Sequence, residues 1–296
     1  MATLRELKGR IGSVGSSEKI TGAMKMISSA KMHKAEATLK RLAPFRDCVQ
    51  TIIGNLLSSD AVVSSPLTAE RTACRRVAII VLGSDDGLCG AYNVNIFKAM
   101  LDTLASLRAE AGENVEIDLY PVGKKMVSAI SKIAARDPHI TMVTTDNVNS
   151  KSDGDDIKQF AEHFNKRFLA GEVDRVMLDF MSFRSAGKQI FAAEQYLPVS
   201  SENLGNGGKS SGRPYLFEPD AATIFSTVLP MYLLSQMQEA FAQNRASEQA
   251  ARVMAMQSAN DNAHKLLEQL QLEYNKLRQQ SITTELLDIV GGQKRD

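Results

Sequence analysis

The sequence has no tryptophan, only three cysteines and no apolar run long enough to cross a lipid bilayer. Cys48, Cys74 and Cys89 have no metal-ligand spacing, and their odd number does not indicate a disulfide framework, so a reducing compartment is favoured. The 35 basic and 34 acidic residues nearly cancel, which gives no support to a nucleic-acid or membrane-surface function. The opening residues, MATLRELKGRIGSV, lack the features of a signal peptide or an import sequence. We therefore expect a cytoplasmic protein that associates with a membrane only through a partner.

Recognisable catalytic motifs are also absent. None of the four histidines belongs to an H-E-x-x-H pair, and no G-x-S-x-G occurs. The glycine-containing loop 83–93 (GSDDGLCGAYN) follows a predicted strand and precedes a predicted helix, where a loop can bind phosphate. It matches neither G-x-G-x-x-G nor a P-loop, and Asp85 and Asp86 would repel phosphate. We interpret it as a tight turn, and expect no catalytic residue, no cofactor and no metal.

The most informative stretch that is present is residues 246–290, which contain no proline or glycine. Mostly apolar residues recur there at alternating steps of three and four, which is the period of a coiled coil. At about 1.5 Å per residue, a helix of this length spans roughly 65 Å, so something must pack along it. The stripe consists of Val253, Met256, Asn260, Ala263, Leu267, Leu270, Tyr274, Leu277 and Ser281.

Residues 1–57 form a second long helical stretch, interrupted by Gly12, Gly15 and Gly22. Each glycine costs about 1 kcal/mol relative to alanine, and close approach of another helix is one reason to keep them. Two helices that leave one domain and pack together must run antiparallel. If residue 57 lies near residue 225, paired residue numbers sum to about 280, because both helices rise equally per residue. Met24 is then roughly opposite Met256.

Between the helices the period changes to that of an alternating α/β segment. The run VAIIVL at 77–82 is typical of a buried parallel strand. Helical patterns near 94–107, 124–135 and 157–169 alternate with the strands, which indicates an open, mostly parallel sheet. The short turn at 185–188 predicts that the last two strands form an antiparallel hairpin at one edge. The other candidate strands are 115–122, 140–144, 173–183 and 189–199.

We therefore expect an α/β chain with a long antiparallel coiled coil of N- and C-terminal helices and an inserted Rossmann-like open α/β domain. The predicted divisions are 1–57, 75–200 and 215–290. A polar connector at 58–74 and a Gly/Ser-rich loop at 201–214 separate them. Pro219 and Asp220 predict the start of the final helix, whereas Pro230 and Pro44 predict kinks or a break.

Three blocks of the sequence resemble the gamma subunit of the F-type ATP synthase. ITGAMKMISSAKMHKA at 20–35 is similar to that family's ITxAMKMVxxAKxxKA, and SDDGLCGAYN at 84–93 is similar to SDxGLCGxxN. The third block is 247–290, where SEQAARVMAMQSANDNA and NKLRQQSITTELLDIV follow the family pattern. All three occur in order over the full length of the chain.

The resemblance implies a non-catalytic subunit of the F1 sector, the central rotating shaft of a rotary, proton- or sodium-translocating complex. Its partners would be the alpha and beta subunits of an alpha3beta3 ring, the epsilon subunit and the c-subunit ring. Ion flow through the c ring would turn the shaft and drive ATP synthesis in the ring, or the reverse. Nucleotide sites would belong to alpha and beta. The expected location is peripheral, at the cytoplasmic face of a bacterial plasma (inner) membrane.

The resemblance also implies functional positions. Residues matching family positions that contact the alpha/beta ring are Met24, Lys25, Arg252, Gln279, Thr283 and Glu285. Residues matching the family loop, with a structural role, are Gly87, Leu88, Cys89 and Gly90. The polar stripe residues Asn260, Tyr274 and Ser281 are expected where the coil loosens or meets the ring.

Two alternatives remain at this stage. The first is a Rossmann-like nucleotide-binding protein or enzyme with helical extensions, which would use the α/β segment. The second is a coiled-coil scaffold, or a nucleic-acid binder using the basic residues of the first helix. That helix lacks aromatic residues other than Phe45, which weakens base stacking as a binding mode.

Overall fold

The computed structural model describes residues 3–57, 64–71, 74–145, 147–200 and 216–292. The predicted loop 201–214 and residues 58–63, 72 and 73 of the predicted connector 58–74 lie outside the described residues. The chain divides into two compact units, one of Met1–Ser29 with Arg252–Asp296 and the other of Ala30–Ala251. Helix α1 (Leu4–Leu57) and helix α5 (Ala221–Gly292) each contribute residues to both units.

The second unit contains a five-stranded sheet in the order β3-β2-β1-β4-β5. Strands β1 to β4 are parallel neighbours, and β4 pairs with β5 in antiparallel fashion. The predicted open sheet and its edge hairpin are therefore confirmed. The strands are β1 (Arg76–Leu82), β2 (Glu116–Val122), β3 (Ile140–Met142), β4 (Arg175–Ser185) and β5 (Lys188–Leu197).

The sheet is covered on both faces, which explains the uninterrupted apolar run of β1. Residues 78, 80 and 82 pack into a core with α1, α4 and α5, while residues 77, 79 and 81 pack into a second core with α2 and α3. Because neither face of β1 contacts solvent, its sequence shows no alternation of polar and apolar residues. The helices are α2 (Tyr92–Ala111), α3 (Lys124–Ala134) and α4 (Gly154–Leu169), and a short 3-10 turn spans Pro66–Thr68.

Prolines do not break either long helix. Pro44 lies inside α1, and Pro230 lies inside α5, so the break considered at Pro230 does not occur. Leu229 and Leu233 beside it are fully buried, and their packing offsets the lost backbone hydrogen bond. Asp220 begins α5 by accepting from the amide of Thr223 at 2.8 Å, as expected of an N-cap.

The first unit is an antiparallel helix pair whose register agrees with the predicted sum near 280. The side-chain amide of Asn260 donates to the carbonyl of Glu18 at 2.7 Å. A Cβ added to Gly15 would lie 3.9 Å from Leu267, and one added to Gly22 would lie 3.4 Å from Asn260. Gly15 and Gly22 therefore face α5, where a Cβ would make ordinary van der Waals contact, whereas a Cβ at Gly12 would have no neighbour within 4 Å.

Burial along α5 follows the predicted stripe. Every stripe residue from Val253 to Ser281 is buried or half-buried, with Met256 and Leu270 6% exposed. The expectation that Asn260 marks a loosening of the coil is wrong, because its amide bonds across to α1. A polar residue that finds its partner only in one alignment selects that register.

Candidate functional site

The C-terminal end of α5 carries an uncovered apolar surface. Residues 282–290 are all exposed within the helix-pair unit, in contrast to the stripe that precedes them. Exposed apolar side chains grouped in this way are typical of surfaces that contact a partner. Its large apolar side chains, each 46–66% exposed, are Ile282, Leu286, Leu287, Ile289 and Val290.

The six expected ring-contact residues separate into two groups in the helix pair. Met24 and Lys25 are half-buried on α1, and Arg252 on α5 is only 5% exposed. The other three, Gln279, Thr283 and Glu285, are exposed, with the Thr283 hydroxyl donating to the Gln279 carbonyl at 2.9 Å. From Arg252 to Gln279 helix α5 rises about 40 Å.

An ionic contact joins the two helices of the pair beside Asn260. His264 Nδ1 lies 2.8 Å from a carboxylate oxygen of Glu18, and His264 Nε2 lies 3.4 Å from Glu268. The hydrogen bond with Glu18 raises the pKa of His264, and the negative charge of Glu268 adds to the effect. Because the contact is exposed to solvent, it contributes little stability and mainly helps to align the two helices.

The loop after β1 is a tight turn with internal partners. Leu88 and Gly90 both adopt positive φ, at 62° and 61°, which L side chains such as that of Leu88 rarely adopt. Cys89 between them is buried and points at Ser84 and Asn93, whose side chains are hydrogen-bonded at 2.8 Å. This geometry agrees with interpreting the loop as a turn.

Both acidic residues of this loop are engaged by the fold. Asp85 accepts from the amide of Lys124 at 3.1 Å, at the start of α3, and from the hydroxyl of Ser150 at 2.8 Å. Asp86 pairs with Lys151 at 3.0 Å. The carboxylates thus tie the loop to two neighbouring segments.

Helix α5 occupies the crevice where an open α/β sheet ordinarily binds its ligand. That crevice lies beyond the carboxyl ends of the strands where the strand order reverses, here between β1 and β4. Asn244 of α5 lies there, 3% exposed, and donates to the carbonyl of Gly83 at 3.0 Å. Tyr92 donates to the Asn244 side-chain oxygen at 2.7 Å. Ser247, fully buried, donates to the carbonyl of Met181 at 2.9 Å.

Sequence reasoning missed Asn244 and its partners. They come from a loop, two helices and a strand, separated by 63 to 161 residues, so no local spacing could reveal them. The sequence offered one signal, the mostly polar run QNRASEQ at 243–249, which follows a more apolar part of the same helix.

Within the described ranges, no group of three or more His, Cys, Asp or Glu side chains could hold a metal ion. In the same part of the chain, no helix combines the length and apolar character needed to cross a membrane.

These features define a class of protein: a long antiparallel helix pair joined to an inserted α/β sheet whose crevice is filled by its own helix. The family model described as ATP synthase matches residues 3–294. The ATP synthase gamma chain of Bacteroides fragilis is 40% identical over 294 residues, covering 99% of each chain. That of Chromobacterium violaceum is 35% identical over 292 residues, again covering 99% of each. The chain therefore belongs to the ATP synthase gamma chain family.

Solved structures share the fold. A chain in the Euglena gracilis mitochondrial ATP synthase, OSCP/F1/c-ring, rotational state 3, superposes with a TM-score of 0.61 at 20% identity, covering 98% of this chain and 93% of that one. A chain of the Tetrahymena thermophila central stalk and c-ring structure has a TM-score of 0.55 at 24% identity, covering 81% of this chain and 99% of that one.

Proposed function

We propose that this chain is the central rotating shaft of its ATP synthase, coupling ion flow through a c ring to ATP synthesis or hydrolysis in an alpha3beta3 ring. The observation that carries the proposal is the uncovered apolar end of α5, residues 282–290, in a chain of the gamma family. Such a surface needs a surrounding partner, and a ring of subunits can enclose a helix end from all sides.

An asymmetric shaft inside a three-fold ring supplies the physical basis for coupling. Three equivalent sites on the ring contact three different faces of the shaft, so each site is biased toward a different conformation. Rotation moves that bias from one site to the next. The helix pair described above has such unlike faces, with α1 on one side only and Gly15 and Gly22 at the contact.

The proposed ring contacts are Met24, Lys25 and Arg252 at one level and Gln279, Thr283 and Glu285 nearer the end of α5. Contacts with the epsilon subunit and the c ring are assigned to the inserted α/β domain. Names of the structural neighbours, which include F1, c-ring and central stalk, support this set of partners. The functional division at 1–57, 75–200 and 215–290 is proposed on the same grounds.

The chain is proposed to be non-catalytic. Asn244 fills the crevice that a Rossmann-type ligand would need, and Asp85 and Asp86 are committed to internal contacts. Nucleotide binding is therefore assigned to the alpha and beta partners. The proposed location is the cytoplasmic face of a bacterial inner membrane, reached through the complex, which fits the bacterial relatives.

Co-purification with alpha and beta subunits tests the proposal. The tagged chain should recover both, and replacing Leu287 with Asp should weaken recovery because a charge enters the apolar end. Leu216→Asp is the control, since Leu216 is 96% exposed but lies far along the sequence from that end. Recovery of neither subunit by the wild-type chain would refute the proposal.

The two alternatives make distinct predictions in the same preparation. Tight binding of ATP or NAD by the isolated chain, measured by calorimetry, would favour a nucleotide-binding protein. A stable complex with nucleic acid or another protein, formed without alpha and beta, would favour a scaffold.

A further inference from the structure

One side chain of α5 is bonded to three other parts of the α/β unit. The Asn244 amide nitrogen donates to the carbonyl of Gly83, at 3.0 Å, in the loop after β1. Its oxygen accepts from the hydroxyl of Tyr92 at the start of α2, at 2.7 Å, and from the amide of Met181 in β4, at 3.4 Å. The same Tyr92 hydroxyl lies 3.0 Å from the Asn244 backbone carbonyl, which can share its hydrogen.

Neighbouring residues of the same helix extend this attachment. Ser247, one turn further on, donates to β4, and Gln243 accepts from the hydroxyl of Ser182 at 2.6 Å. Arg245 donates to the carbonyl of Ser152 at 2.7 Å, in the loop before α4. Residues 243–247 thus connect α5 to β4, to the start of α2 and to the loops after β1 and before α4.

Hydrogen bonds resist motions that apolar packing tolerates. An apolar helix face can rotate by a few degrees, or slide by less than the rise of one residue, without losing most of its contacts. Hydrogen bonds, in contrast, depend steeply on angle and distance. Bonds from one buried amide in three directions oppose both rotation of α5 about its axis and sliding along it. Inside a dry crevice such bonds are also stronger than at a surface.

We infer that Asn244 is the positioning residue that locks α5 to the sheet, and that torque between the α/β unit and α5 passes through its amide. The inference rests on the proposed shaft function, since torque matters only in a rotating subunit. Asparagine suits this position because it supplies a donor and an acceptor together. Aspartate of the same shape lacks the donor to Gly83, and leucine lacks both.

The first arm of the test uses the isolated full chain and needs no partner. Hydrogen exchange is compared for the wild type, Asn244→Leu, Asn244→Asp and Tyr92→Phe. Loss of two or more buried hydrogen bonds should speed exchange of residues 240–250 by about tenfold or more. The matched control is Asn95→Leu, because Asn95 is exposed on α2 of the same unit.

The second arm measures coupling in the complex assembled with alpha, beta, epsilon and the membrane sector. ATP hydrolysis and ATP-driven ion pumping are recorded in the same vesicles at matched amounts of assembled enzyme. Asn244→Leu should keep hydrolysis and lose pumping per ATP, Tyr92→Phe should show a smaller loss, and Asn95→Leu should match the wild type. A purely structural role would lower assembly and leave the pumping-to-hydrolysis ratio unchanged.

Each outcome is decisive. Unchanged exchange in Asn244→Leu would show that the amide does not lock α5, and faster exchange with a normal pumping ratio would show that torque passes elsewhere. If Asn244→Leu does not fold, Tyr92→Phe, which keeps the amide and removes one donor, decides the same two questions. Failure of the wild-type chain to assemble with alpha and beta would instead refute the proposed function.

Discussion

Asp179 in the middle of β4 should make the stability of the α/β unit fall as pH rises. Its side chain is fully buried, and neither carboxyl oxygen has a hydrogen-bond partner among the described residues. Burial raises the pKa of Asp179 from 3.8 to about 8, opposed only by the nearby hydroxyl of Thr103. That hydroxyl already donates to the carbonyl of Ala99 at 3.2 Å.

The size of the effect follows from linkage. Because the pKa of Asp179 is higher in the folded chain than in the unfolded one, its contribution to the free energy of unfolding is fully present below about pH 4. This contribution is lost progressively as the pH rises to about 8, and above that pH the free energy of unfolding no longer changes through Asp179. A shift of roughly four pKa units corresponds to about 5 kcal/mol, which is an upper bound because the folded chain can relax. Asp179→Asn cannot ionise and retains an unbonded amide that costs about 1–3 kcal/mol. We expect the variant to be about 2–4 kcal/mol more stable than the wild type near pH 8 and no more stable near pH 4.

Urea unfolding of the full chain at several pH values between about 4 and 8, followed by hydrogen exchange in β4, measures this difference. Asp102→Asn is the control, because Asp102 is exposed on α2. A difference between wild type and Asp179→Asn that does not change with pH would refute the reasoning, since it would mean that Asp179 keeps one protonation state throughout.

Two further predictions concern the helix pair. Gly22→Leu should destabilise it by about 1–3 kcal/mol, because a Cβ at Gly22 would already be in contact with Asn260 at 3.4 Å and the further atoms of leucine would have to displace that side chain. A Cβ at Gly9 would meet no atom within 4 Å, so Gly9→Leu should be neutral or slightly stabilising. Equal effects of the two variants on hydrogen exchange of α1 would contradict close packing at Gly22. Glu18→Gln should lower the pKa of His264 toward its ordinary value, because the hydrogen bond with Glu18 is the main cause of its elevation. An NMR titration of the His264 ring in which the pKa is the same in both proteins would show that the contact does not form in solution.

The long helices and the sheet could be predicted because their signals are local. The stripe from Val253 to Ser281 repeats every three to four residues, and the same residues are buried or half-buried in the structure. Register followed from equal rise in two antiparallel helices, and the bond from Asn260 to Glu18 agrees with it. Strand β1 was predictable because a strand buried on both faces must be apolar throughout.

The prolines show where local rules are overridden. Pro230 removes one backbone hydrogen bond from α5, and isolated peptides would break there. Burial of Leu229 and Leu233 on the sheet outweighs that loss, and the helix continues. No property of the sequence near Pro230 records how much apolar area its neighbours bury, so the outcome depends on tertiary packing.

By itself, the sequence determined the helix–sheet–helix order, the stripe of the helix pair and the family to which the chain belongs, because periodicity and motif blocks are carried by residues close together in the chain. Only the tertiary structure decided that Asn244 fills the crevice between β1 and β4, that Asn260 tightens the coil, and that the buried Asp179 carboxyl has no hydrogen-bond partner among the described residues. These facts depend on how atoms from segments far apart in sequence are placed in space, because hydrogen bonding depends on the distances and angles between those atoms and desolvation depends on what surrounds them.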